Sequence, residues 1–370
     1  MINIVSIIRK IDKYCGTFIV LLLSFFKKFN RYNKKKNNFN KSVLVIRLWA
    51  IGESLLILPM LKKLKEKGYQ VDLLVTKRNK GVFENQDFID NILEFEKIIN
   101  FLPQKFRKYN LVIDTEPYLN ISAILSFVLG KKSIGFRGLV RDRIYDYKIN
   151  YDSNIHTVMN FCNLLKPLKI EYFPKKLLPV KYKEEDKNKV EKLLKDYGLM
   201  DKEIIGIHCG TAETSPWRSW KEEKFAKLIE NLAKMGFYII LTGTGKEVQK
   251  NERIKGLISD PLRKKVLNFA GKTNLRELAY LMQKFKYFIS NDTGPMHLSA
   301  AMGTKTIGLF GPNLPERFAP FGAGNIAIYK AFNLSCSPCI NVHKGEFKKC
   351  KLNGRCMDLI EVEDIFRNIR

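Results

Sequence analysis

The sequence predicts an α/β protein made of two doubly wound parallel-sheet domains. Three observations carry that expectation. Short continuous apolar runs such as Val43–Ile46 and Ile205–Ile207 read as strands buried on both faces of a parallel sheet. Segments with helical apolar spacing separate these runs, which is the alternation of βαβ units. A chain of 370 residues is long enough for two such domains, each with its own core.

Composition narrows the class further. The hydrophobic fraction of 45% is that of an ordinary globular protein, whereas a formal charge of +28 is not. Such a surplus attracts polyanions: nucleic acid, an acidic membrane surface or a phosphorylated substrate. No RNA-binding signature or zinc-finger helix directs it to nucleic acid, so none is expected as a partner. The seven cysteines do not form a secreted disulfide scaffold, and a cytoplasmic setting is favoured.

Residues 1–40 read as an appendage. Tyr14–Phe26 is an apolar run of thirteen residues, too short to span a bilayer, which takes roughly 20. Ile4, Ile7, Ile8, Ile11, Cys15, Phe18, Ile19 and Leu22 share one helical face. Lys27, Lys28, Arg31 and Lys34–Lys36 follow. This pattern fits a peripheral anchor on the anionic inner face of a membrane. The alternative is a structural helix packed on the domain. Asn33–Asn40 reads as a linker.

Residues 41–178 form the first predicted domain. Strand Lys41–Ile46 runs into Arg47-Leu48-Trp49-Ala50-Ile51-Gly52-Glu53-Ser54 and a helix stopped by Gly68. Gly52 gives a tight turn, and Glu53 opens the helix, where its dipole favours a carboxylate. Strands follow at Tyr69–Val75 and Tyr109–Asp114, with weaker candidates at Asp90–Phe95 and Ser133–Phe136. Asp114-Thr115-Glu116 ends a strand on the same edge and is a candidate acceptor-side lining. Arg137, Arg141 and Arg143 either meet an acidic acceptor or form a solvated face.

Residues 179–345 form the second. Strand Glu203–His208 delivers the loop Cys209–Trp220, then a helix over Glu222–Met235. Strand Phe237–Thr242 leads to Gly243-Thr244-Gly245-Lys246-Glu247, by itself a weak turn signal. Ala270-Gly271-Lys272-Thr273 lacks the spacing of a phosphate-binding Walker loop. A strand ending near Ile289 then enters Ser290-Asn291-Asp292-Thr293-Gly294-Pro295-Met296-His297 and a helix stopped by Gly303. Asp292 or Thr293 suits its N-cap and Pro295 its first turn. A polar turn between a strand end and a helix N-terminus is where open α/β sheets bind anionic ligands.

The Ser-Asn-Asp-Thr-Gly-Pro-Met-His stretch, then Ala-Ala-Met-Gly and Leu-Phe-Gly-Pro, resembles the ADP-heptose:lipopolysaccharide heptosyltransferase family, glycosyltransferase family 9. The likeness extends over most of residues 41–345. It implies the GT-B architecture, two Rossmann-like domains facing across a cleft, and inverting transfer from an ADP-sugar to a lipid-linked saccharide without a required cofactor. Where the family has an aspartate as general base, this chain has Glu53; where it has a lysine on the diphosphate, this chain has Arg218. The resemblance further implies Thr211 or Thr214 on the phosphates and Glu247 on the ribose. It puts Asp292, Thr293 and Gly294 on sugar and diphosphate, with His297 facing the site. His297 is otherwise a structural histidine. The glycolipid acceptor would sit in an anionic membrane surface.

Cys336, Cys339, Cys350 and Cys356 form a C-x2-C-x10-C-x5-C array in the 346–370 tail and the residues just before it. Either they close a structural zinc site or they are unbound or bridged thiols. The tail reads as a last helix crossing back to the first domain, as in other transferases of this architecture. Two further readings stay open: another nucleotide-sugar donor, and a non-catalytic basic membrane- or nucleic-acid-binding protein on this fold.

Overall fold

The computed structural model describes residues 10–29, 41–212 and 215–369. The chain forms two compact units. The first takes residues up to Pro174 together with Val342–Gly345; the second takes Lys175–Asn341 and the chain from Glu346 onward.

The first unit is built on six parallel strands: β1 (Ser42–Arg47), β2 (Gln70–Val75), β3 (Asn91–Glu94), β4 (Tyr109–Asp114), β5 (Gly130–Phe136) and β6 (Tyr147–Ile149). Their order is β3-β2-β1-β4-β5-β6. β1 and β4 run in register, Val43 beside Leu111 and Ile46 beside Asp114. The sequence switches sides of the sheet between β1 and β4, so the loops after these two strands diverge and leave a crevice at their carboxyl ends.

The second unit repeats the plan with β7 (Ile204–His208), β8 (Tyr238–Leu241), β9 (Val266–Asn268), β10 (Phe285–Asn291), β11 (Lys305–Phe310) and β12 (Ile326–Tyr329). The order is β12-β11-β10-β7-β8-β9, again parallel throughout. Its switch point lies between β7 and β10, between the Cys209–Trp220 loop and the Asn291–Gly294 turn. A short antiparallel pair, β13 (Ile340–Asn341) and β14 (Glu346–Phe347), completes the strands. The last helix, Val362–Phe366, belongs to the second unit. Ile360, Val362, Ile365 and Ile369 join the buried core of the second unit beside Trp220 and Phe225. Four apolar side chains in one short segment find their burial on the sheet nearest in sequence.

The N-terminal helix Thr17–Phe29 packs on the first unit, preceded by a π-turn at Asp12–Gly16. Gly16 lies so close to Asn120 that an added Cβ would come within 2.7 Å of that side chain. Val20 is fully buried with Ala123, Ile144 and Tyr145. The Asp12 carboxylate accepts from the backbone N–H groups of Asn120 and Ile121 at 2.9 and 2.8 Å, capping the helix Asn120–Leu129. Lys27 pairs with Asp146 at 3.0 Å. The helix thus meets the domain through small and polar residues, and the apolar face foreseen in the sequence points to solvent. Ile11 is 56% exposed, Phe18 63%, Leu22 45% and Phe25 58%, with Tyr14, Ile19, Leu21 and Phe26 exposed alongside them. Ile4, Ile7, Ile8 and the basic stretch Arg31–Lys36 lie outside the described residues. No described helix is long and apolar enough to cross a membrane.

Candidate functional site

In the first unit, β1 ends on Arg47, whose side chain is fully buried. Residues 48–50 then turn sharply. Ala50 adopts φ 61°, a conformation costly for a residue with a Cβ, and such strain is held only where the surroundings impose it. The helix Ile51–Leu56 follows with Glu53 in its first turn. The Glu53 carboxylate pairs with the Arg47 guanidinium at 2.8 Å, and its side chain keeps 12% exposure.

Glu116, two residues beyond β4, turns inward to the same place. Its Oε1 accepts from the N–H groups of Leu48 and Trp49 at 2.7 and 2.8 Å and lies 3.6 Å from Arg47 Nε. Burial, only partly offset by Arg47, pushes its carboxyl up to about 7. Asp114 and Arg141 form a second buried pair at 2.5 Å, and the Tyr145 hydroxyl donates to Asp114 at 2.7 Å. Asp114, Thr115, Glu116 and Arg141 are therefore internal scaffolding, not a lining or an acceptor-facing charge. Ionised groups at strand ends are carried inside because each finds an opposite charge there. Arg137 and Arg143 are exposed.

In the second unit, Asn291 at the end of β10 ties the two switch-point loops together. Its Nδ2 donates to the carbonyls of Cys209 and Gly210 at 3.2 and 3.1 Å, and its Oδ1 accepts from Trp220 N–H at 3.0 Å. Arg218, in the short turn Pro216–Arg218, is thereby held over the next residue, Asp292. Its guanidinium pairs with Asp292 Oδ2 at 2.8 Å and also donates to the Asp292 main-chain carbonyl. Asn313, just past β11, donates to the same Oδ2 at 3.0 Å. Thr293 is the N-cap residue of the helix Gly294–Ala301, but its hydroxyl donates to Asn291 O at 3.2 Å and does not cap the helix. At that helix end Pro295 has no N–H and the Met296 N–H donates to Thr293 O at 3.2 Å, which leaves the Gly294 N–H for another acceptor. His297 is buried on this helix beside Phe318, the ring centroids 6.4 Å apart.

Glu247 also reaches this place. Its Oε2 accepts from the N–H and hydroxyl of Thr244, both at 2.6 Å, which closes its own turn. Its Oε1 would stand 2.6 Å from a Cβ at Gly210, so a side chain there would have to displace this carboxylate. Lys250, one turn further, donates to Ser219 Oγ at 2.7 Å. Thr211 is partly buried in the same loop, and Thr214 lies outside the described residues. Trp220 is packing: it stacks edge-on against Phe225, and its indole N–H donates to Ile360 O at 3.0 Å. The structure thus gathers Arg218, Thr211, Glu247, Asp292, Thr293, Gly294 and His297 around one switch point, and sets Glu53 at the other. Arg47, Asn291, Lys250 and Asn313 were not singled out from sequence, and Glu116 was read there as lining, not as a partner of Arg47. Only the position of Asn291 inside the Ser-Asn-Asp-Thr-Gly stretch could have signalled its role.

Residues 102–349 match the family description "Glycosyltransferase family 9 (heptosyltransferase)". The chain belongs to this family. Lipooligosaccharide heptosyltransferase 2 of Haemophilus influenzae is 36% identical over 33% of this chain, an alignment that spans only 35% of that protein's own length. Lipopolysaccharide heptosyltransferase 1 of Campylobacter coli is 26% identical over 89% of this chain and 98% of that protein. Among solved structures, E. coli ADP-heptose LPS heptosyltransferase II superposes with a TM-score of 0.68 at 18% identity, covering 88% of this chain and 97% of the other. The two six-stranded parallel sheets with their flanking helices are the GT-B architecture of this family-9 chain.

The C-terminal cysteines are unbridged. Cys336 is exposed, while Cys356 is buried against Gly311, where an added Cβ would lie 2.8 Å from its sulfur. Burial, then the nearby thiols of Cys339 and Cys350, pushes Cys356 up to about 12, which holds it as a neutral thiol. Among the described residues no three or more His, Cys, Asp or Glu side chains are arranged to hold a metal ion.

Proposed function

We propose that this chain moves a heptose from ADP-heptose to a hydroxyl of a lipid-linked saccharide such as lipopolysaccharide core, with inversion at the anomeric carbon. The observation that carries this reading is the second unit's switch point. There Arg218 is fixed on Asp292 at the uncapped N-terminus of Gly294–Ala301, with Glu247 against Gly210. A guanidinium and the Gly294 N–H at a strand end suit the diphosphate of a nucleotide sugar. The name of the E. coli structure, an ADP-heptose transferase, supports the choice of donor.

In the first unit Glu53 takes the proton as the acceptor oxygen attacks the anomeric carbon. The bond from that carbon to the diphosphate oxygen breaks as the new C–O bond forms. Nucleoside diphosphate leaves with its charge met by Arg218, the Thr211–Thr214 loop and the helix N-terminus. Charge on the leaving group is met by protein groups, so the reaction needs no added metal.

The exposed helix face supports work at the cytoplasmic membrane. Eight large apolar side chains on one face, flanked by Lys10 and Lys13, match an anionic bilayer surface that holds the acceptor. The deciding experiment is acceptor-dependent transfer by the full chain in EDTA, with ADP-heptose beside a panel of nucleotide sugars and Glu53→Gln in parallel. Turnover of ADP-heptose alone, with transfer lost in the variant, is the expected result. Turnover of a different donor overturns the donor assignment, and no turnover of any donor overturns the reading as an enzyme.

A further inference from the structure

We propose that Arg47 and Glu116 are the positioning residues of the candidate base: Arg47 orients Glu53, and Glu116 governs how firmly Arg47 does so. The inference rests on the reading of Glu53 given above. It starts from the placement of one buried guanidinium between two carboxylates. Arg47 is fully buried at the end of β1, fixed by Nε to the Trp49 carbonyl at 3.0 Å and by Nη1 to the Thr115 carbonyl at 3.1 Å. Its face lies over the Phe161 ring, 5.4 Å from the centroid. With those contacts made, its remaining nitrogen, Nη2, lies 2.8 Å from Glu53 Oε2 as an ion pair. A planar group held at two edges and over an aromatic face fixes where its third nitrogen stands, and so where the carboxylate that pairs with it must lie.

Glu116 supplies the other half of the device. One of its oxygens grips two consecutive N–H groups of the loop that leads to Glu53, and it stands beside Arg47 Nε. The charged and titratable groups facing it are Arg47, Glu53 and Asp114, with Arg141, Tyr118 and Tyr145 packed behind. Protonated Glu116 leaves the Arg47 charge to Glu53 alone. Ionised Glu116 competes for that charge and loosens the hold on Glu53, which frees its lone pair for the acceptor proton. Since Glu116 is pushed up to about 7, this exchange falls within the physiological range.

The test is a pH profile of acceptor-dependent transfer for the wild-type chain, Arg47→Lys, Glu116→Gln and Glu53→Gln. Thermal unfolding and donor KM are read for each. In the wild type the transfer rate should rise through pH about 7. Glu116→Gln, which keeps an oxygen for both loop N–H groups, should be flat across that range at the acid-side rate, with donor KM unchanged. Arg47→Lys keeps the charge and loses the fork, and should lower the transfer rate by about tenfold at every pH. A merely structural role would lower the rate of Glu116→Gln without removing the inflection. The same inflection in Glu116→Gln as in the wild type overturns the inference, as does a native rate in well-folded Arg47→Lys. Full transfer by Glu53→Gln overturns the reading of the base itself, which is a separate outcome.

Discussion

Replacing Phe18, Leu22 and Phe25 together by serine separates the two faces of the N-terminal helix. All three side chains project from the face opposite Val20 and are 63%, 45% and 58% exposed, so the fold gains little from them. Full burial of such a side chain is worth about 1.5–3 kcal/mol, and roughly half of each remains to be buried by lipid. The loss on substitution is then about 1 kcal/mol per residue and about 3 kcal/mol for the three. That corresponds to a partition coefficient on the order of 100-fold lower. The assay is co-sedimentation of the full chain with vesicles of phosphatidylcholine and anionic phosphatidylglycerol, at low and high salt. Thermal unfolding should match the wild type within a degree or so, because the packed face is untouched. Undiminished vesicle binding by the well-folded variant would refute the reasoning, since the affinity would then come from charge alone. A lowered unfolding temperature would show that this face is packed in solution.

Two further outcomes follow from single contacts. Asp12→Ala removes the acceptor for two N–H groups at the start of Asn120–Leu129 and should destabilise the first unit by about 1 kcal/mol in denaturant titration. An unchanged midpoint would mean that the cap is not made in solution. Arg218→Gln removes the cation seated on Asp292 and should lower kcat/KM for the donor on the order of 100-fold, with Arg218→Lys recovering most of it. Equal donor kinetics in all three proteins would put the diphosphate elsewhere.

Most of the fold was legible because buried parallel strands announce themselves as unbroken apolar runs. β6 was not, since its three residues, Tyr147-Lys148-Ile149, lie at a sheet edge and are partly exposed. The polar turn at Asp292 could be read from its neighbours, because capping and turn chemistry are local. The Arg47–Glu116 pair could not. Arg47 ends β1 and Glu116 lies two residues beyond β4, far apart in sequence, and a charged residue at the end of an apolar run looks the same whether it enters solvent or turns inward. The helix shows a similar limit. Periodicity marks a face of large apolar residues, yet the domain receives Gly16, Val20 and Asp12, because close approach to Asn120 requires a small residue and a polar cap.

The return of Val342–Gly345 to the first unit sets a timetable for synthesis. His343 stacks flat on Tyr151, with ring centroids 4.2 Å apart, and Gly345 presses on Tyr118. These partners emerge from the ribosome far apart in time. At typical elongation rates the segment arrives on the order of ten to thirty seconds after Pro174, the last residue of the unit's main stretch. Until then the nascent first unit carries the face of Tyr151 uncovered. The unit that begins first is finished nearly last, and a ribosome stalled before residue 342 would hold it with that aromatic surface still open.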